Sequence, residues 1–313
     1  MDKNLTMTDN QQSQRTEIEK LTVGVCDKST RIYDYLVGKL ETISSRKGVK
    51  KAFSRDQIYL NNKRAKSGDF VHEGDAIVVY ENETAEHKEF EINLNVVFED
   101  DEIAIVEKPA GIPVSGNTFK TLQNALPYHL SRSQAVDYLP IPLPVHRIDA
   151  LTHGIVVIAK THSSRVELGR LFEEREVQKH YKAIVQGKLQ GSGILNTAIG
   201  QKIATTHFES LSVYPSVKNG WTSLIKLSPV TGRKHQLRIH LSRLGFPIVG
   251  DKQYGKKGNT LKHKGMFLAA VGISFIHPKT KKALSFEIVL PNKFDRFLTR
   301  EENWVKRVEE KLK

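Results

Sequence analysis

The chain has 313 residues, enough for two domains and a sizeable buried core. With 48 Lys+Arg against 35 Asp+Glu it carries a formal net charge of +13, which favours a polyanionic partner, nucleic acid before an anionic membrane. No apolar run reaches the length of a spanning helix, and the first twenty residues lack a signal-peptide core, so no membrane partner is expected. Cys26 is the single cysteine, which leaves no internal disulfide or cysteine-rich zinc site and suits a reducing cytoplasm. The twelve histidines form no HExxH pattern, and His235 and His240 are five apart rather than four. No catalytic metal is expected.

Residues 1–20 are polar and predict a disordered tail. Residues 21–82 predict a small α/β domain. Its segment from Lys28 to Lys66 concentrates eleven Lys/Arg against three acids. In "SSRKGVKKAFSRD", Ser44 or Ser45 can cap a helix that places Arg46 and Lys50 on one face and Lys47, Lys51 and Arg55 on an adjacent one. Val49, Ala52 and Phe53 then face the other way. "QIYLNNKRAKSG" predicts a strand, an Asn-Asn turn and a second strand, and "VHEGDAIVVYENE" a turn at Glu73-Gly74-Asp75 followed by a strand. The five helix cations, with no acid among them, suit a phosphate-contacting face; the alternative is an ordinary solvated helix surface. "TRIYDYLVGKL", the Ser-Arg helix, the "IYLNNKRAK" hairpin and "VHEGDAIVVY" together resemble the S4 RNA-binding domain, which implies that this basic face lies on structured RNA.

Residues 90–313 predict a larger α+β domain. Short apolar runs such as "EIAIVEK", "GIVVIAK" and "HYKAIVQGKL" alternate with turns and a few helices, without regular βα alternation. The pattern suits a mixed, largely antiparallel sheet with helices packed on it. In "LPIPLPVHRIDALTHGIVVIAK", Pro140, Pro142 and Pro144 force an extended approach, and Ile155–Ala159 predicts a strand buried on both faces. Asp149 therefore lies in a constrained loop leading into the core, where a carboxylate needs a partner to stay ionised. In "VQKHYKAIVQGKL", Tyr181, Ala183 and Val185 share one strand face. "TGRKHQLRIHLSRLG" predicts a helix with Leu237, Leu241 and Leu244 inward, Gly245 as a left-handed cap, and Arg233 and Arg238 held by a rigid element. The C-terminus predicts an amphipathic helix docked by Phe294, Phe297, Trp304 and Val305.

Four blocks, "EKPAGIPVSGN", "HRIDALTHGIVVIAK", "KHYKAIVQGKL" and "TGRKHQLRIHLSRLGFPIVGDKQYG", stand in the order found in RluA-type RNA pseudouridine synthases, which the chain resembles. Where that family usually has Thr-Ser-Gly this chain has Thr152-His153-Gly154. The resemblance implies a pseudouridine synthase fold and a cofactor-free isomerisation of uridine in ribosomal RNA of the large subunit, or in transfer RNA. Asp149 would act on the ribose C1′ side, as a nucleophile or a base. Tyr181 would stack on the base and assist proton removal, Arg238 would pair with Asp149, and Arg147 would accompany base flipping. His146 and Arg233 join Arg147 as expected substrate-binding positions. A non-catalytic RNA-binding assembly factor would not need the Asp149–Tyr181–Arg238 trio. A two-carboxylate glycosidase would need a second partnered acid, for which Asp251 is the one candidate and a turn role is simpler. A kinase reading of "HRID" lacks its phosphate loop. A monomer is expected.

Overall fold

A computed structural model describes residues 17–27, 29–43, 45–80, 90–255 and 265–311. The chain divides into two compact units, Met1–His87 and Lys88–Lys313.

In the first unit, β1 (Glu17–Thr22), α1 (Ile32–Leu36), α2 (Arg46–Ser54), β2 (Ile58–Leu60), β3 (Lys63–Arg64) and β4 (Ala76–Tyr80) follow in order. The four strands form a sheet in the order β1-β4-β2-β3. Ile32, Leu36, Val49, Ala52, Ile58 and Ile77 fill its core. Ser45 caps α2 by accepting from Gly48 N at 3.0 Å, whereas Ser44 lies outside the described residues. Val49 and Ala52 are buried; Arg46, Lys47, Lys50, Lys51 and Arg55 are all exposed. Asn61 and Asn62 both have positive φ, at 48° and 63°, as a two-residue hairpin turn requires.

Of the expected tail, residues 1–20, the part from Glu17 is strand, and residues 1–16 lie outside the described residues. β1 begins at Glu17, and its backbone pairs with β4, Lys20 opposite Val78 and Leu21 opposite Ile77. The side chains are polar because this is an edge strand. Glu19 instead accepts from Glu41 N and Thr42 N, at 2.9 and 3.1 Å.

The second unit contains β5 (Asn95–Glu99), β6 (Ile103–Lys108), α3 (Leu122–His129), β7 (Tyr138–Pro144), β8 (His153–Thr161), α4 (His162–Glu173) and β9 (Gln178–Gln186). These are followed by β10 (Ser192–Ile199), β11 (Lys202–Ser216), β12 (Gly220–Pro229), α5 (Gln236–Arg243), β13 (Leu268–Ile276), β14 (Ala283–Glu287) and α6 (Lys293–Lys311). One large sheet runs β10-β11-β12-β9-β13-β8-β6-β5, with β14 beside β13 and β7 beside β8. Its pairings are antiparallel except for β8 with β13.

Alternation explains the layers. On one side of β6 and β8, Ala104, Val106, Val156 and Ile158 pack with Leu122 and Leu126 of α3. On the other side, Ile103, Ile105, Ile155 and Val157 pack with Leu168 and Leu171 of α4. Toward the other end of the sheet, Ala183, Val185, Ile225 and Leu227 meet Leu237 and Leu241 of α5. Opposite them, Ile184, Ala269 and Val271 meet Phe294 and Phe297 of α6. The central strands are thus covered on both faces, which is why their sequences read as continuous apolar runs.

Of the four residues expected to dock α6, Phe294 and Phe297 are buried and Val305 half-buried, but Trp304 is 46% exposed. Glu301 takes the inward position instead, accepting from Ser216 Oγ at 2.6 Å. A buried carboxylate with a hydroxyl partner carries no hydrophobic signal in the sequence.

Candidate active site

Tyr181 packs against both the α3-side and the α5-side apolar clusters, so it marks the seam between them on one face of the sheet. Two neighbouring features complete the seam. β8 and β13 run parallel there, Ala269 beside His153 and Ala270 beside Gly154. Gly154 has φ 133°, and a Cβ on it would come within 2.1 Å of Ala270 O, so this crossing requires glycine. The β7–β8 loop that ends at this crossing carries Asp149.

The loop is fixed from beneath. Lys108, at the end of β6, is fully buried. Its Nζ donates to the carbonyls of Pro109 and Ile112, both at 2.8 Å, and of Ala150 at 3.1 Å. Burial lowers the Lys108 pKa to about 8, with the charge of Asp149 acting in the opposite direction. Gly111 N donates to Ala150 O at 2.7 Å, and Thr152 N to Asp149 O at 3.0 Å. The Asp149 side chain, 26% exposed, accepts at Oδ2 from Arg238 Nη1 at 3.2 Å.

Arg238 comes from α5 and is 7% exposed. Its stronger partner is Asp251, 1% exposed, reached from Nε at 2.7 Å and from Nη2 at 3.0 Å. Asp251 Oδ1 also accepts from Gln253 N and Tyr254 N, at 2.9 and 3.0 Å. Burial alone would raise the Asp251 carboxyl, but the hydrogen bond from Arg238 and those backbone donors hold it below the usual range. Asp251 thus has the expected turn role and also anchors the guanidinium. The Arg238 guanidinium carbon stands 4.9 Å from the centre of the Tyr254 ring.

Asp149, Tyr181, Arg147, Arg233 and Arg238 line one cavity of about 580 Å³, together with the apolar Pro113 and Leu268. The volume lies in the range of small-ligand sites. Burial, then the negative charge of Asp149, push the Tyr181 phenol well above its ordinary pKa, so it stays protonated at neutral pH. Arg147, Lys234 and Lys252 are exposed at the cavity rim, and none has an ion-pair partner among the described residues. Arg233 donates from Nε to Ile203 O at 3.4 Å.

His146 corrects an expectation. It does not line the cavity: its Nε2 accepts from Val157 N at 3.0 Å and its ring stacks on Phe172 at 4.6 Å. These contacts, to β8 and α4, hold its ring among the α4-side residues rather than in the cavity that Arg147 lines. Burial, aided by Lys179, lowers the His146 pKa to about 3. The α2 cations belong to the first unit. Sequence reasoning also passed over Lys108 and His235, both of which stand in motifs already singled out.

Comparison with known proteins covers the same ground. The profile of the RNA pseudouridylate synthase family matches residues 102–243, the span that holds Asp149, Tyr181 and Arg238. An uncharacterized RNA pseudouridine synthase of Aquifex aeolicus is 32% identical over 80% of this chain and 87% of its own. Ribosomal large subunit pseudouridine synthase C of Rickettsia typhi is 33% identical over 80% of this chain and 91% of its own. Among solved structures, human RNA pseudouridylate synthase domain containing 1 superposes with a TM-score of 0.54 at 25% identity, covering 64% of this chain and 84% of that one.

Proposed function

The chain belongs to the RNA pseudouridylate synthase family and is an RNA pseudouridine synthase, and we propose that it modifies uridine in ribosomal RNA of the large subunit, with Asp149 as the catalytic carboxylate. The observation that carries the assignment is the partly exposed Asp149 carboxylate, which has one oxygen on Arg238 and lines the same cavity as Tyr181. Relatives named for the large subunit, the C enzyme of Rickettsia typhi and the D enzyme of Neisseria meningitidis, the latter 31% identical, support the RNA class.

The reaction is an isomerisation. The N1–C1′ bond breaks, the uracil turns, C5 bonds to C1′, and the C5 proton leaves as N1 gains one, so no co-reactant is consumed. Asp149 meets C1′ as a nucleophile or removes a ribose proton. Tyr181 lies under the base, and its protonated phenol suits a hydrogen-bonding role. Withdrawing a base from its stack costs a few kcal/mol. Stacking on an aromatic ring, about 1–3 kcal/mol, and phosphate contacts by Arg147, Lys234 and Lys252 offset it.

Residues 21–82 read best as an S4-like RNA-binding domain. The support is the exposed five-cation face of α2, which has no ion-pair partner among the described residues, beside an Asn-Asn hairpin.

Asp149→Asn tests the core of the proposal. Tritium release from C5-labelled uridine should vanish while RNA affinity stays within a few-fold of wild type, because the lost anion repels phosphate. Release near the wild-type rate would sink the assignment. Mapping pseudouridines in cells with and without the gene tests the large-subunit target.

A further inference from the structure

His235 stands between Asp149 and Tyr254 in a backbone conformation that few side chains tolerate. Its φ is 56°, left-handed, just ahead of α5, and its side chain does not cap that helix. A non-glycine residue there is strained and persists only where its surroundings impose it. The imidazole contacts show what the position achieves. Nδ1 lies 3.0 Å from Tyr254 Oη, and Nε2 lies 3.8 Å from Asp149 Oδ1. Arg238 already occupies Oδ2. His235 therefore faces the one carboxylate oxygen that Arg238 leaves open.

The neighbours also select a tautomer. With the proton on Nδ1, Nε2 would turn a lone pair toward a carboxylate. With Tyr254 donating its hydroxyl to Nδ1, Nε2 carries the proton and presents N–H to Oδ1.

We propose that His235, its tautomer fixed by Tyr254, is a positioning residue for Asp149: its Nε2–H orients Oδ1 toward the substrate ribose while Arg238 holds Oδ2. The inference rests on the reading of Asp149 as the catalytic carboxylate. A separation of 3.8 Å is longer than a hydrogen bond. Catalytic contacts of this kind tighten when substrate fills the site.

The charged groups around the ring favour its neutral form. Burial lowers the His235 pKa, and Arg238 on α5 and Lys234 in its own loop lower it further; Asp149 from the β7–β8 loop and Asp251 from the loop after α5 oppose them. A charged imidazolium would pair with Asp149 as an ion and blunt its reactivity. Protonation of His235 on acidification should therefore slow the reaction.

The test uses the full chain and RNA isolated from cells lacking the gene, grown on C5-tritiated uridine. Single-turnover tritium release at saturating enzyme is followed across pH. Three variants are compared: His235→Gly, which accepts the left-handed backbone without a donor; His235→Asn, which accepts it and keeps an N–H; and Tyr254→Phe, which keeps the ring over Arg238 but removes the hydroxyl. His235→Gly should lose about a hundredfold in rate, the scale of a small misplacement of a reacting group, at near-normal RNA affinity and melting temperature. His235→Asn should recover part of that loss, and Tyr254→Phe should move the acid limb of the pH–rate profile. If His235 serves only the backbone, Gly and Asn both keep the wild-type rate, and the proposal is overturned. Should His235→Gly not fold, an unchanged rate and pH profile in Tyr254→Phe overturns it instead. Asp149→Asn runs alongside. Activity in that variant would remove the underlying reading, whereas an inactive Asp149→Asn beside fully active His235 variants removes this inference alone.

Discussion

Arg238 gives Nε and Nη2 to Asp251 and only Nη1 to Asp149. The guanidinium is therefore anchored independently of the carboxylate it presents to the cavity, which leaves Asp149 free to engage a substrate. The arrangement separates stability from activity. Arg238→Ala leaves Asp251, 1% exposed, as a buried charge without its cation. Loss of one partner of such a pair costs about 3–5 kcal/mol. Urea unfolding should show that loss for Arg238→Ala and for Asp251→Ala, together with loss of turnover. Asp149→Asn, at a 26% exposed position, should unfold close to wild type. An equal destabilisation in Asp149→Asn would mean that Asp149, not Asp251, is the structural partner.

Tyr181→Phe isolates the hydroxyl. The ring keeps its place between the two apolar clusters, so RNA affinity should stay within a few-fold of wild type. If the protonated phenol assists proton transfer, the single-turnover rate should fall by about a hundredfold. A fully active Tyr181→Phe would reduce the residue to a stacking surface.

The large-scale features are legible in the sequence because each depends on a local pattern. The apolar run Ile155–Ala159 is the doubly covered centre of β8, and the Asn61-Asn62 pair is a turn because both residues adopt positive φ. Gly245, at φ 92°, ends α5 as its position implies. What escapes is the pairing of polar groups across sequence distance. Asp251 is a turn residue by its local chemistry, and only the fold brings Arg238 to it. Lys108 looks like a surface lysine until the carbonyls of Pro109, Ile112 and Ala150 close around its ammonium. His146 is one residue from Arg147, and only its contacts with Val157 and Phe172 place it away from the cavity.

The half-buried His146 ring, packed on Phe172 and bonded to Val157 N, predicts a pH dependence of stability. Its pKa is about 3 in the folded chain against an ordinary 6.5, so between these values the unfolded chain binds the additional proton. Stability rises with pH wherever the unfolded state binds more protons. The folded state should therefore lose stability as pH falls from about 6.5 toward 3. His146→Gln, which cannot take up that proton and keeps an acceptor for Val157 N, should show a flatter melting-temperature profile between pH 7 and pH 5. Its turnover should be near wild type because the residue does not line the cavity. A steep loss of activity in His146→Gln would return it to the substrate-binding set.

The basic face of α2 makes the most quantitative prediction. If Lys47, Lys51 and Arg55 contact phosphates, each releases a condensed counterion on binding. Each lost contact then flattens the log–log salt dependence by about 0.7–0.9. The triple variant Lys47→Gln, Lys51→Gln, Arg55→Gln should bind structured RNA more weakly across sequences, with a slope shallower by roughly 2–3. The three side chains are exposed and have no ion-pair partners among the described residues, so folding should be unaffected. Asp149 belongs to the second unit, so the single-turnover rate at saturating RNA should be nearly unchanged. A solvated helix surface predicts none of this. Affinities measured between low and moderate salt distinguish the two, since equal affinities and parallel slopes would leave α2 without a role in RNA binding.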